Sequence, residues 1–139
     1  MSLSKADFWS GPFGDEYTDR NSGEILQSIA FTLRTIETLK IERDLKSILE
    51  LGPNRGMNTR AFRTLFPFAK IECVEINEKA ANLLKHSEIA NVYNVDFLKY
   101  ETNDVFDLVV SSYFLIHMEQ HELENIYRKI AKSINRIKN

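Results

Sequence analysis

The sequence is poor in the residues that would fix its structure by special chemistry. Its 139 residues contain one cysteine, Cys73, so no internal disulfide and no CxxC metal site can form. A lone cysteine inside an apolar run implies a core residue and a reduced, cytoplasmic setting. Charge of either sign is not in excess. The net charge is −2 and no basic cluster stands out, which gives no case for nucleic acid or an anionic membrane. No apolar run approaches the roughly 20 residues of a membrane span, and the N-terminus lacks a signal peptide's apolar centre. Repeats and low-complexity segments are also missing. What remains is an ordinary balance, 43% hydrophobic and 27% charged, on a length that fits one domain with its own core.

The pattern along the chain alternates. Residues 8–21, "FWSGPFGDEYTDRN", mix aromatics, glycines, one proline and acids, and read as an ordered loop or flap over 1–21. From Ser22, a plausible N-cap, to Lys40, the positions Ile25, Ile29, Leu33, Ile36 and Leu39 recur at helical spacing. Four apolar strands are predicted at 45–51, 70–76, 90–96 and 105–112. Helices are predicted at 57–66, stopped by Pro67, at 78–86 behind an Asn77 cap, and from Glu119 to Lys138. The last carries the stripe Leu123, Ile126, Ile130, Ile134 and Ile137. Strands alternating with helices imply an α/β fold with a parallel sheet, covered on both faces as the near-continuous apolar strands require. Ligands of such sheets bind beyond the carboxyl ends of the strands.

The turn after the first strand, "SILELGPNRGMN" at 47–58, narrows the ligand. A dinucleotide turn needs glycine at its first, third and sixth positions, and here those are Gly52, Asn54 and Met57. Pro53 also removes an N–H that a phosphate would use. No Gly-Lys-Ser/Thr follows, so a P-loop is excluded. The turn instead fits acid-x-Gly-x-Gly-x-Gly, with Glu50, Gly52 and Gly56 in place and Asn54 at the middle glycine. Asparagine tolerates the positive φ this requires. Glu50 would repel a pyrophosphate and suits a cation. S-adenosylmethionine (SAM) carries an ammonium and a sulfonium and no phosphate. Glu75, 25 residues after Glu50, ends the second strand beside Ile76 and can accept from both ribose hydroxyls. Asp96 and Phe97 follow the third strand. They suit the amino group and face of an adenine, although Asp96 could equally cap a turn. Ser111 and Ser112 end the fourth strand.

Glu50-Gly52-Gly56, Glu75, Val95-Asp96 and Phe106-Asp107-Leu108-Val109-Val110, in this order, resemble the class I SAM-dependent methyltransferases over residues 46 to about 134. "FWSGPFGDEYTDRN", "ILELGPNRGMN", "VEINEKA" and "FLIHM" resemble more closely the bacterial methylases associated with pseudaminic acid biosynthesis. The resemblance implies a Rossmann-like three-layer αβα domain over 22–139 that binds SAM and releases S-adenosylhomocysteine (SAH). It implies methyl transfer to a small molecule, such as a sugar or nonulosonic acid precursor. Class I enzymes continue with three more strands, so a chain stopping at Asn139 is expected to lack the last strands, as a fragment or a truncated gene would. Its fourth strand would then form an open edge suited to self-association.

Three residues outside the turn are carried as candidates. Tyr17 and Arg20 belong to an aromatic segment that reads first as packing, and either could reach the cofactor or acceptor. His117 follows the fourth strand at the cleft mouth, as a general base or as a structural hydrogen-bonding group. No metal cluster is visible. Two rivals stand beside the methyltransferase reading: a binding module without catalysis, and a nicotinamide-dependent dehydrogenase, against which the missing glycines count.

Overall fold

The computed structural model describes residues 3–21, 23–41 and 44–135. Four parallel strands form one sheet: β1 (Ser47–Leu51), β2 (Lys70–Val74), β3 (Asn91–Tyr93) and β4 (Leu108–Ser111), in the order β3-β2-β1-β4. Strand β1 is central, with Glu50 opposite Cys73 on one side and Val110 on the other. The period of two then sorts side chains by face. Ile48, Ile71 and Cys73 point to one face and pack with Ile36, Phe62, Phe66 and Leu84. Leu49, Leu51 and Val74 point to the other and pack with Phe97, Tyr100, Phe106 and Ile126.

The first face is covered by α3 (Ile25–Thr38), α4 (Met57–Leu65) and α5 (Glu78–His86), the second by α6 (Leu123–Ser133). The expected α/β architecture and three layers are therefore present. Chain order runs outward from β1 to β3, then returns to β4 on the far side of β1. That reversal opens a crevice at the carboxyl ends of β1 and β4.

Several sequence expectations shift. The segment expected to be a loop over 1–21 is helical in its described part, as α1 (Lys5–Ser10) and α2 (Pro12–Arg20). Ser4 caps α1 by accepting from Asp7 N–H, and Pro12 starts α2 where no N–H is needed. The two helices meet at Gly14, where a Cβ would collide with the Trp9 carbonyl. In α3, Ile36 is buried, but Leu33 and the capping Leu39 of the predicted stripe are exposed, and Thr32, one turn before Ile36, takes an inner position instead. The Ser22 cap and Ile137 lie outside the described residues. Asn77 does cap α5, accepting from Ala80 N–H at 2.9 Å.

Helix α6 ends at Ser133 rather than continuing to Lys138. Ile134 leaves it to form a parallel bridge with Phe106, through Phe106 N–H to the Ser133 carbonyl (2.7 Å) and Asn135 N–H to the Phe106 carbonyl (2.8 Å). Strand pairing thus wins over helical periodicity at this point. Beyond that bridge, β4 has no neighbour on its outer side among the described residues. Free strand edges pair with other chains. Light scattering is expected to show concentration-dependent association of the chain, reduced in Val109→Lys. Val109 also packs in the second core cluster, so circular dichroism of the variant serves as the folding control. A parent that stays monomeric at every concentration would remove the edge from consideration.

Candidate functional site

A cavity of about 310 Å³ lies at the crevice. It is within the range of small-molecule sites, at its lower end. Its floor is the end of the sheet: Gly52, Pro53 and Asn54 after β1, Val74, Glu75 and Ile76 at β2, and Val95, Asp96, Phe97 and Leu98 after β3. The segment after β4 gives Ser112, Tyr113, Phe114, His117 and Met118. The N-terminal helices roof it with Lys5, Ala6, Trp9 and Tyr17.

The turn 52–56 bends through positive φ at Gly52 (64°), Asn54 (52°) and Gly56 (79°). Its backbone donors are all committed. Gly52 N–H goes to the Val74 carbonyl (2.9 Å), and Pro53 has none. Asn54 N–H donates to Glu75 Oε2 (2.7 Å), Arg55 N–H to Asn54 Oδ1 (2.9 Å) and Gly56 N–H to the Pro53 carbonyl (2.9 Å). A pyrophosphate would find no free N–H in this turn.

Glu75 is 5% exposed, yet it lines the cavity. Besides Asn54, it accepts from Asn77 N–H through Oε1 (2.9 Å). Burial raises its pKa, and the backbone donors oppose that rise. Each oxygen still has capacity to accept again, which suits a vicinal diol. Asn94 Nδ2 steadies the strand end by donating to the Glu75 and Ile76 carbonyls (2.9 and 3.0 Å).

Asp96 takes the capping role foreseen for it and also stands at the cavity. It accepts from Leu98 N–H (3.0 Å), capping a 3-10 turn at Phe97–Lys99, and it lines the cavity. Phe97 is buried, edge-on to Phe114 with ring centres 6.0 Å apart. Both rings line the cavity near Asp96.

Four expected contacts are corrected. Glu50 does not face the cavity. It shares the face of Ile48, is 1% exposed and accepts from Thr59 Oγ1 (2.6 Å) beneath α4. Burial pushes its pKa up to about 7, against hydrogen bonds from Thr59 and Asn58 that lower it. Gly56 does not line the cavity either; its missing Cβ leaves room for Leu84 Cδ1 in the core. Ser111, opposite Leu51 in the sheet, has its hydroxyl buried without a partner among the described residues, and it is the next residue, Ser112, that reaches the cavity. Arg20 lies outside the cavity, its Nε donating to the Glu16 carbonyl (3.4 Å), whereas Tyr17 lines it.

His117 does sit at the mouth, its ring centre 4.2 Å from that of Trp9 and tilted by 50°. Partial burial, then the charge of Lys5, lowers its pKa, so the imidazole is neutral near pH 7. Sequence reasoning missed Trp9, Met57, Asn58 and Phe114 as lining residues. It also missed the bonds holding the roof. Asn54 Nδ2 donates to Thr18 Oγ1 (3.0 Å), and Asn77 Nδ2 donates to Asp15 Oδ1 (2.9 Å) and the Trp9 carbonyl (3.2 Å). Only the quoted motif spanning 8–21 hinted at them. Among the described residues, no group of three or more His, Cys, Asp or Glu could hold a metal ion, and no helix is long and apolar enough to cross a membrane.

The comparisons agree with this geometry. A family model described as a methyltransferase domain matches residues 49–136. No curated protein matches. Among solved structures, magnesium protoporphyrin IX methyltransferase from Synechocystis PCC 6803, with bound SAM, superposes with a TM-score of 0.74 at 14% identity, over 97% of this chain and 74% of that one. Coclaurine N-methyltransferase, bound to N-methylheliamine and SAH, gives 0.68 at 19% identity, over 84% and 36%. An amino pentose methyltransferase from Micromonospora echinaspora, with SAM bound, gives 0.70 at 15% identity, over 90% and 52%. The chain thus spans about a third of one of these structures and about half of another. The shared feature at such identities is the Rossmann-like methyltransferase fold.

Proposed function

The chain belongs to the methyltransferase domain family, and from that premise we propose that it binds SAM at the head of its sheet and transfers the methyl group to a small-molecule acceptor. The observation that carries the reading is Glu75, a buried carboxylate held by two backbone N–H groups with accepting capacity left at the cavity. Glu75 would hold the ribose diol. Asp96 would take the adenine amino group, with Phe97 and Phe114 as apolar neighbours. Tyr17, Asn54 and Asn58 would surround the amino-acid end. A turn without free donors suits a phosphate-free cofactor and disfavours the nicotinamide rival.

Bound SAM supplies an electrophilic methyl on a sulfonium. The chain's own contribution is chiefly placement, since a good nucleophile in line needs little else. Neutral His117 at the mouth is positioned to take the proton that an acceptor hydroxyl or amine loses. The unit is taken as residues 22–139, with the segment 1–21, which carries α1 and α2, as its cover. A sugar or nonulosonic acid precursor as acceptor, in the cytoplasm of a bacterium, is supported by the motif resemblance and by fold likeness to an amino pentose methyltransferase.

Isothermal titration tests the core of this. SAH is expected to bind and NAD not to. Glu75→Ala is expected to weaken SAH by about 1.5–3 kcal/mol, roughly tenfold to 150-fold. Unchanged SAH affinity in a folded Glu75→Ala chain would take Glu75 out of the site.

A further inference from the structure

Resting on the methyl-transfer reading, we infer that the cavity rim beside β4 seats an acceptor bearing a carboxylate, held by Lys5 against Trp9 and His117. Lys5 and Trp9 are one turn apart on α1 and therefore share a face, and both line the cavity. Trp9 packs on His117, so the three side chains form one cluster. The Lys5 charge is felt at His117.

Among the lysines of the described residues, Lys5 is the one that lines the cavity. Lys79 is paired with Asp19 (2.6 Å), and Lys70 with Glu72 (2.7 Å) and Asp104 (2.6 Å). Among the described residues, the Lys5 ammonium makes no ion pair or hydrogen bond, although Asp7 is nearby on the same helix. Asp7 is turned to Ser4, which it meets at 2.6 Å. The other fixed charges lining the cavity are acids. Glu75 and Asp96 stand at the ends of β2 and β3, away from this rim, and Glu122 accepts locally from Glu119 N–H (3.1 Å). An unpaired ammonium beside a neutral imidazole attracts an anion. A carboxylate matches its three donors. The indole gives the rest of such a molecule an apolar wall.

Lys5 is exposed, so its preference is modest and falls with salt. The probe is glucuronate, compared with neutral glucose and methyl glucuronate. Each is titrated by NMR into the isotope-labelled full chain saturated with SAH. Glucuronate is expected to shift the Trp9 indole N–H and the His117 ring signals, binding about three- to fivefold tighter than the neutral sugars. Lys5→Gln should erase that difference and leave SAH affinity unchanged. The His117 pKa should rise as glucuronate saturates. Equal response to all three sugars overturns the inference, and so does a glucuronate preference that survives in Lys5→Gln. A loss of SAH affinity in Lys5→Gln also overturns it, by assigning Lys5 to the cofactor's own carboxylate. A parent that does not bind SAH removes the methyl-transfer reading and this inference with it. SAH binding without a glucuronate preference removes this inference alone.

Discussion

Gly56→Val is expected to lower unfolding free energy by about 3–5 kcal/mol while leaving SAH affinity of the folded fraction close to that of the parent. Two effects add. Gly56 has φ +79°, where a residue with a Cβ costs roughly 1–2 kcal/mol and a β-branched one more. A Cβ there also collides with Leu84 Cδ1 in a closed core, and overpacking costs typically 1–3 kcal/mol. The sum is a large share of the roughly 5–15 kcal/mol that stabilises a domain. Urea denaturation with and without SAH measures both quantities. Leu84→Ala is the control: in the double variant the collision disappears, so the two losses should combine to less than their sum. A Gly56→Val chain that unfolds like the parent but no longer binds SAH would restore the ligand-facing role expected from the sequence.

Glu50→Gln is expected to stabilise the chain above neutrality. In the folded state burial holds the Glu50 carboxyl at about 7, whereas its ordinary value is 4.5. A raised acid pKa means the folded chain keeps a proton that the unfolded chain has released. The associated stability is complete below about pH 4.5 and is lost as pH rises through 7. At 1.36 kcal/mol per pKa unit the loss is roughly 3 kcal/mol. Glutamine stays neutral and its carbonyl can still accept from Thr59 Oγ1. Unfolding free energies of parent and variant should therefore converge near pH 4.5 and separate by up to about 3 kcal/mol at pH 8. Parallel pH profiles would mean that Glu50 titrates in the folded chain as it does in the unfolded one.

These two residues also mark where the sequence could be read and where it could not. The strands were legible because parallel strands buried on both faces read as apolar runs, and Glu75 was legible because it ends one of them. Glu50 lies in such a run too, but an acid at a strand end gives no sign of which face it takes. Its register partner Cys73 and its donor Thr59 decide that. Ser111 failed for the same reason, since one step along a strand reverses the side chain. The collision partner of Gly56 is 28 residues away, beyond any local pattern. At the N-terminus, helices of six and nine residues are too short to show a period, and Gly11 and Pro12 looked like turn residues when they in fact start α2.

The roof has a consequence for time as well as for shape. Thr18 and Asp15 are latched to Asn54 and Asn77, which flank Glu75 in the fold, and Asp19 is latched to Lys79. A molecule seated beneath α1 and α2 is expected to stay longer while those latches hold than in a chain where they are cut, whatever the strength of any single contact below it.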